Sequence, residues 1–126
     1  MFLKQIIAIM IGGAIGSASR FWIAHQCNRL WGNRFPYGIL LVNVVGCVLI
    51  GFLGTLMIER YNVSPIWRAM VLTGFLGGLT TFSAFSFDTF HLFNQGNMMA
   101  AILNVLFSLI LCLLGTGLGV FLGRLE

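Results

Sequence analysis

At the centre of the chain, residues 74–86 read GFLGGLTTFSAFS. Two adjacent glycines each lower helix propensity by about 1 kcal/mol relative to alanine, and the β-branched residues Thr80 and Thr81 follow them. The stretch predicts a helix that is broken near residues 77–81, with the threonine hydroxyls satisfying some of the freed backbone groups. The alternative is an intact helix in which the glycines form a packing notch.

The composition of the whole chain indicates a protein that lies in a lipid bilayer. Of 126 residues, 59% are hydrophobic and only 8% are charged, whereas about a quarter of the residues of soluble domains are charged. A spanning helix needs about 20 apolar residues, and the charge-poor segments predict four, at about 3–27, 36–59, 67–90 and 97–124. The predicted fold is an all-α membrane protein, a single domain over residues 1–126, with no nucleic acid as partner.

The first apolar segment has one other interpretation. Lys4, an apolar stretch and the small residues near Ser17 also fit a cleaved signal peptide. The spacing of Gly12 and Gly16 favours a retained helix, because a small residue at every fourth position lets helices approach closely in a membrane.

Enzymatic chemistry has few candidate residues in this sequence. The chain holds three acidic residues, and its three cysteines show no C-x-x-C spacing. No phosphate-binding loop, nucleophile elbow or His-Glu-x-x-His motif occurs. We therefore expect a protein that is not an enzyme.

The distribution of positive charge leaves the orientation in the membrane open. One side of the predicted bundle carries four positive residues and the other carries three, or two if Arg20 lies within the first helix. The side richer in Lys and Arg normally faces the cytoplasm. Either this small bias is enough to fix one orientation, or the chain inserts in both orientations and pairs with its inverted copy. Size supports self-association, since four packed helices enclose no conduit.

Polar residues at membrane depth mark candidate pathway positions, because they are costly in hydrocarbon and usually face the protein interior or water. Asn43 lies within the second predicted helix, where it either links helices or lines a pathway. In the fourth predicted helix, Asn104, Ser108, Cys112 and Thr116 recur every four residues and form one polar stripe. Serine and threonine can also satisfy themselves on the preceding turn.

The residues around the predicted break suggest how ions would be bound. Phe82 and Phe85 share a helical face, as do Ser83 and Ser86. Phenyl edges carry partial positive charge and can contact an anion, although apolar packing is the ordinary role of phenylalanine. Freed carbonyls at the break would bind a hard cation such as Na⁺. Arg20 either draws anions towards the protein or extends to lipid headgroups.

Three motifs then resemble one known family along the whole chain: GGAIGSASR at 12–20, LVNVVG at 41–46 and GFLGGLTTFS at 74–83. They are similar to the Fluc fluoride channels of the CrcB type. The resemblance implies an antiparallel, dual-topology homodimer with two fluoride pores and a structural Na⁺ at the dimer centre. It also implies a multi-pass protein of the bacterial inner membrane that exports fluoride passively and confers fluoride resistance.

The resemblance assigns roles to individual residues. Phe82 and Phe85 correspond to the family's pore phenylalanines and Asn43 to its pore asparagine. Backbone carbonyls of Gly77 and Thr80 from both subunits would bind Na⁺. The other expected pathway residues are the donors Ser83 and Ser86, the polar track of Asn104, Ser108 and Thr116, and Arg20 at the end of the first motif.

The chain departs from the family pattern at four positions. Ala84 stands where threonine is common, which removes a hydroxyl, and Asp88 stands where glutamate is expected. Asn104 stands where tyrosine is frequent, and Cys112 interrupts the polar track.

Two other functions compete with the channel. A small multidrug transporter also has four helices and often forms an inverted dimer, but it needs a titratable group inside the membrane, usually a carboxylate in the first helix. The first helix of this chain has no carboxylate, and Asp88 lies too near the end of its segment. A non-transporting assembly subunit would have interface glycines without a polar stripe or a broken helix.

Overall fold

The architecture is entirely helical in the computed structural model, which describes residues 1–125. Four helical spans, one of them interrupted, are long and apolar enough to cross a membrane, which confirms the predicted all-α membrane fold. The helices are α1 (Phe2–Trp31), α2 (Tyr37–Arg60), α3 (65–79), α4 (Phe82–Asn94) and α5 (Met98–Leu125). Helices α3 and α4 together make the third span, Pro65–Asn94.

Two spans are longer than hydropathy alone predicts. Helix α1 continues past residue 27 to Trp31, and α4 continues past residue 90 to Asn94, so both include polar residues beyond the predicted apolar spans. Glycines then follow in the left-handed region, Gly32 with φ 81° and Gly96 with φ 79°. Such glycines commonly end helices, so backbone conformation rather than polarity sets the two boundaries.

Helices α2 and α3 each contain a stretch of wider, π-helical winding, Thr55–Arg60 and Ala69–Leu76. On α1, Gly12 and Gly16 are four residues apart, but they pack against the carbonyls of Met70 and Phe75, which are five apart. The wider winding of α3 therefore keeps its backbone in register with the glycines of α1.

The glycine rows pack helices of the same chain against each other. Gly12 and Gly16 abut α3 as described, and on α3 Gly74 and Gly78 abut α1 in return. In α5, the row Gly115, Gly119 and Gly123 packs on α2. In the structure, these small-residue rows therefore pack helices within one chain.

We expect Gly119→Ala to destabilise the protein by roughly 1–3 kcal/mol, because its new Cβ would overlap the carbonyl oxygen of Val48 on α2. Gly117→Ala is the matched control in the same helix, where nothing lies within 4 Å of the added atom. It should be neutral or stabilise by up to about 1 kcal/mol through helix propensity. Unfolding in detergent micelles measures both, and equal effects of the two substitutions would contradict this packing.

A small apolar cluster lies where α2 and α3 meet. Val42, Leu76 and Leu79 are almost completely buried there. Most large apolar side chains instead face outwards, among them 73% of the surface of Leu113 and 77% of that of Phe21. Such a surface is stable in lipid rather than in water, so the protein is a multi-pass membrane protein.

Candidate functional site

The third span is interrupted at Thr80 and Thr81, whose backbones are extended (φ −92°, ψ 154° and φ −156°, ψ 120°). The predicted break is confirmed, but it is narrower than residues 77–81. Residues Gly77–Leu79 stay helical, because Gly78 lies so close to the carbonyl of Gly13 on α1 that helix packing offsets its low propensity. The glycines therefore serve packing, and the threonines form the break.

The threonine hydroxyls satisfy the helix ends on both sides of the break, as the sequence predicts. The Oγ1 of Thr80 donates to the carbonyl of Leu76 at 2.9 Å. The Oγ1 of Thr81 accepts from the backbone N–H of Ala84 at 3.2 Å, as an N-cap of α4. The hydroxyl of Ser83 lies 3.0 Å from the same Thr81 oxygen.

Asn43 of α2 holds the peptide of Thr81 by two hydrogen bonds. Its Oδ1 accepts from the Thr81 N–H at 2.8 Å, and its Nδ2 donates to the Thr81 carbonyl at 3.2 Å. An amide side chain offers one acceptor and two donors, so the pair replaces the helical bonds that Thr81 lacks. Asn43 therefore links α2 to the break, and it also lines a groove there.

Arg20 acts at the last turn of α3. Its Nε donates to the carbonyl of Gly78 at 3.0 Å from α1, 58 residues away in sequence. A cation near the C-terminal carbonyls of a helix is favourable. The sequence suggested that Arg20 attracts anions or extends to lipid headgroups, and it did not predict this contact. We call the contact a brace, because it holds the end of α3 against α1.

We expect Arg20→Met to destabilise the protein by roughly 1–3 kcal/mol, since it removes a charged donor from the Gly78 carbonyl. Arg34→Met, in the exposed connection between α1 and α2, is the control and should change stability by less than about 0.5 kcal/mol. Denaturation in micelles gives both values. The brace is contradicted if Arg20→Met unfolds at the same denaturant concentration as Arg34→Met.

The two phenylalanines of the predicted pore lie at the start of α4, with ring centroids 5.3 Å apart and planes inclined by 52°. The ring of Phe85 is buried at 9% exposure, whereas Phe82 points outwards at 74%. The pair separates two open grooves. A central groove of about 420 Å³ contains Asn43, Thr80 and Ser108 as well as both rings.

The second groove, here called the phenyl groove, measures about 610 Å³ and is mostly apolar. It lies between α4 and α5 and contains both rings, Ser86 and Thr89. The sequence-predicted donor Ser86 is therefore brought beside the phenylalanines, with its side chain exposed on the groove.

The polar stripe of α5 connects to the phenylalanines through a residue that the sequence analysis missed. Asn104, only 2% exposed, donates from Nδ2 to the Oγ1 of Thr89 at 2.8 Å. Thr89 in turn donates to the carbonyl of Phe85 at 2.7 Å. Thr89 lies one turn after Phe85, and this spacing could have identified it. The hydroxyl of Ser108 donates to the Oδ1 of Asn104 at 3.5 Å.

Thr116, the last member of the predicted track, lies two turns beyond Ser108. Its backbone carbonyl packs against Gly51 of α2, where a side chain would not fit. The structure therefore joins Asn104 and Ser108 to the phenylalanine region and places Thr116 at the tight contact of α2 and α5.

Ala84 faces away from the two grooves, into a polar recess of about 420 Å³ that it shares with Asp88, His91 and Gln95 of α4. The Gln95 amide lies 3.1 Å from the His91 ring. A threonine at position 84 would therefore add its hydroxyl on the recess side of α4, one turn from Asp88. The recess was not predicted as a unit, because its other wall, including Asn28 and Asn33, comes from α1 and the following connection.

Backbone oxygens are the candidate cation ligands of the site. Among the hydrogen bonds described around the break, none reaches the carbonyl of Gly77 or Thr80. Within residues 1–125, no group of three or more His, Cys, Asp or Glu side chains could hold a metal. The Gly77 and Thr80 oxygens fit a hard cation such as Na⁺, which prefers oxygen ligands. Two oxygens from one chain are fewer than a hard cation takes, so a cation bound there would need further oxygen ligands.

Comparisons with known proteins point to one family. The profile of the family described as "CrcB-like protein, Camphor Resistance (CrcB)" matches residues 7–120. A Methylococcus capsulatus protein named "Fluoride-specific ion channel FluC" is 45% identical over 120 residues, 95% of this chain and 53% of that protein. The chain thus spans about half the length of this relative.

Shorter relatives with the same name match over most of their length. One from Coxiella burnetii is 42% identical over 121 residues, covering 95% of this chain and 98% of that protein. Another, from Rhizobium leguminosarum bv. trifolii, is 48% identical over 96 residues, 76% of this chain and 77% of that protein. The relatives are named as ion channels and not as enzymes. On the extent of these matches, the chain belongs to the CrcB-like family.

Proposed function

We propose that this protein is a channel through which fluoride crosses the membrane passively. The observation that carries the proposal is the break at Thr80 and Thr81, which places polar backbone, hydroxyl groups and the Phe85 ring together at membrane depth. Relatives of similar length that are named fluoride-specific ion channels support it.

Fluoride is small and strongly hydrated, so a pore must replace its water with close partners. Selectivity filters in general substitute protein groups for the hydration shell of the ion. Here the edges of Phe82 and Phe85 supply partial positive charge without water. Ser86 in the phenyl groove supplies a hydroxyl donor, and Ser108 in the central groove supplies a second one when its hydroxyl turns away from Asn104. Five other residues complete the proposed pathway or hold it in shape: Asn43, Ser83, Asn104, Thr116 and Arg20.

The working unit in this proposal is an antiparallel homodimer with two pores. Both grooves beside Phe85 are open along the side of a single chain, so a second copy is needed to close them. The charge distribution is consistent with insertion in both orientations. Because Arg20 is hydrogen-bonded to α3 within the span, four positive residues remain at one end of the bundle and two at the other. This bias is small enough for insertion in both orientations.

A sodium ion at the dimer centre belongs to the same proposal. When bound, it would supply positive charge that neutralises the free carbonyl oxygens of both copies. The Gly77 and Thr80 oxygens would hold it, and the brace from Arg20 to Gly78 orients the last turn of α3 that carries Gly77.

The proposed location is the bacterial inner membrane. Fluoride that enters a cell as neutral HF and dissociates there would leave through the channel down its gradient. Passive export of this kind would confer fluoride resistance.

Fluoride efflux from liposomes tests the proposal. Purified protein is reconstituted into liposomes loaded with fluoride, and a fluoride-selective electrode records efflux. We expect efflux well above the leak of protein-free liposomes. Ala84→Thr is measured alongside because it restores the hydroxyl common in the family. If neither protein conducts, the channel function is wrong. Transport that requires a proton gradient would instead favour a coupled transporter.

The orientation of the chain is tested by labelling the exposed connection between α2 and α3. In Asn62→Cys, with Cys27 replaced by serine, a membrane-impermeant maleimide added to whole cells should label about half of the molecules at position 62. Permeabilised cells give the total. Labelling of all or none of the molecules from outside would contradict dual topology.

A further inference from the structure

Cys47 of α2 and Cys112 of α5 form a pair of thiols that the proposed pathway does not use. Both are half-buried, and both line the central groove. By sequence alone each thiol is interpreted as a small apolar filler, because both cysteines fall in the middle of apolar segments.

The register of the two helices explains the pairing. Helices α2 and α5 run in the same direction, since Gly115, Gly119 and Gly123 meet successively later residues of α2. Gly51 packs against the carbonyl of Thr116. Cys47 and Cys112 each precede these two residues by four positions. Because residues four apart lie on the same face of a helix, the cysteines face each other one turn away.

The chemistry of two facing thiols selects a particular class of ion. Thiolates are soft ligands that prefer soft cations. Zinc in structural sites takes four protein ligands, and within residues 1–125 no three or more His, Cys, Asp or Glu side chains lie so that they could hold a metal ion together. An ion satisfied by two thiolates in a linear arrangement needs nothing further from the protein.

We propose that Cys47 and Cys112 form a binding site for one soft, thiophilic cation in the central groove. With Hg²⁺, two S–Hg bonds form, two S–H bonds break, and two protons leave to water. The charges balance and no oxidant is required. The bound ion joins α2 to α5 in the same groove as Thr80 and Phe85.

The third cysteine is a natural control. Cys27 is buried at 5% exposure near the end of α1, far from the groove along the chain. Cys27→Ser should therefore leave the binding of Hg²⁺ unchanged, whereas Cys47→Ser and Cys112→Ser each leave a single thiol in the groove.

Native mass spectrometry of the detergent-solubilised protein tests the site, with mercuric chloride as the only added probe and a monothiol wash to remove weakly held ions. We expect one mercury atom per chain in the wild type and in Cys27→Ser. Binding should be about 100-fold weaker in Cys47→Ser and Cys112→Ser, because the second bond no longer forms within the protein. Unchanged binding in either variant, or its loss in Cys27→Ser, would overturn the proposal.

Counting reactive thiols gives a second measurement that does not depend on variants. After treatment with Hg²⁺, washing and denaturation without a competing thiol, a maleimide should label one of the three cysteines in the wild type. Labelling of two or three would overturn the site.

The outcome is separable from the proposed function. Hg²⁺ binding is measured in detergent and does not depend on transport. The absence of binding would therefore reject the thiol site, and the channel function would still be tested independently by fluoride efflux. If Hg²⁺ binds as expected, it should also reduce fluoride efflux at least tenfold in the wild type and in Cys27→Ser. Binding without that reduction supports the thiol site and contradicts the central groove as the fluoride path.

Discussion

Replacing Phe85 by isoleucine is expected to reduce fluoride efflux from liposomes to the leak of protein-free liposomes. The ring lies between the central and phenyl grooves and is almost completely buried within a single chain. Isoleucine keeps an apolar side chain but has no polarised ring edge to contact an anion. The loss should therefore come from conduction, and the fluoride electrode measures it directly.

Phe87→Ile is the control, because Phe87 is on the same helix, is 74% exposed and stacks on His91 rather than on Phe85. It should conduct like the wild type. Phe82→Ile should lose conduction as Phe85→Ile does, since its ring contacts that of Phe85. Gel filtration checks that all three variants assemble. Wild-type efflux through a correctly assembled Phe85→Ile protein would contradict the role of the ring.

Asn43→Leu is expected to lower the free energy of unfolding by roughly 2–6 kcal/mol, because it leaves both the N–H and the carbonyl of Thr81 without partners at membrane depth. Leucine keeps the number and branching of the side-chain heavy atoms of asparagine, so the substitution removes the two hydrogen bonds without shortening the side chain. Unfolding in micelles with increasing denaturant measures it.

Asn43→Asp provides a graded comparison for the same contact. A protonated carboxylic acid can accept from the Thr81 N–H and donate to its carbonyl, whereas a carboxylate can only accept. The Asp variant should therefore approach wild-type stability at acidic pH and lose stability as the pH rises. If Asn43→Leu is as stable as the wild type, or if the Asp variant is insensitive to pH, Asn43 does not hold the break.

The spans and the break could be predicted because their signals are local in sequence. Each apolar run is long enough to cross a bilayer, and the β-branched pair Thr80 and Thr81 follows two glycines. Even so, the predicted break included the two glycines, which the structure shows to be helical. Whether a glycine bends a helix or packs it depends on its neighbour, and for Gly78 that neighbour is Gly13 on another helix.

The contacts that hold the site could not be predicted, because they depend on the register between helices. The partner of Asn43 is the Thr81 peptide, 38 residues away, and the partner of Arg20 is the Gly78 carbonyl, 58 residues away. Thr89 was missed for the same reason, since only the structure shows that it links the Phe85 carbonyl to Asn104. The residue types were therefore predictable, and their partners were not.

The face of the chain that carries the two open grooves is where the proposed dimer partner would pack. Phe82 is 74% exposed beside a nearly buried Phe85, although both are expected to act in one pore. A second, inverted copy that packs along the grooves would cover Phe82 and bring a second pair of Gly77 and Thr80 oxygens to the centre. The dimer would thus complete the pore and the sodium site together.

The most direct test of the central claim compares two halides in the same liposomes. The claim is that a helix broken at Thr80 and Thr81, with phenyl edges beside it, removes the hydration of fluoride and replaces it. Liposomes that contain wild-type protein and both fluoride and chloride are made permeable to K⁺, and separate electrodes follow each anion. We predict that fluoride leaves rapidly while chloride leaves no faster than from protein-free liposomes. Equal efflux of the two halides, or retention of both, would contradict the account.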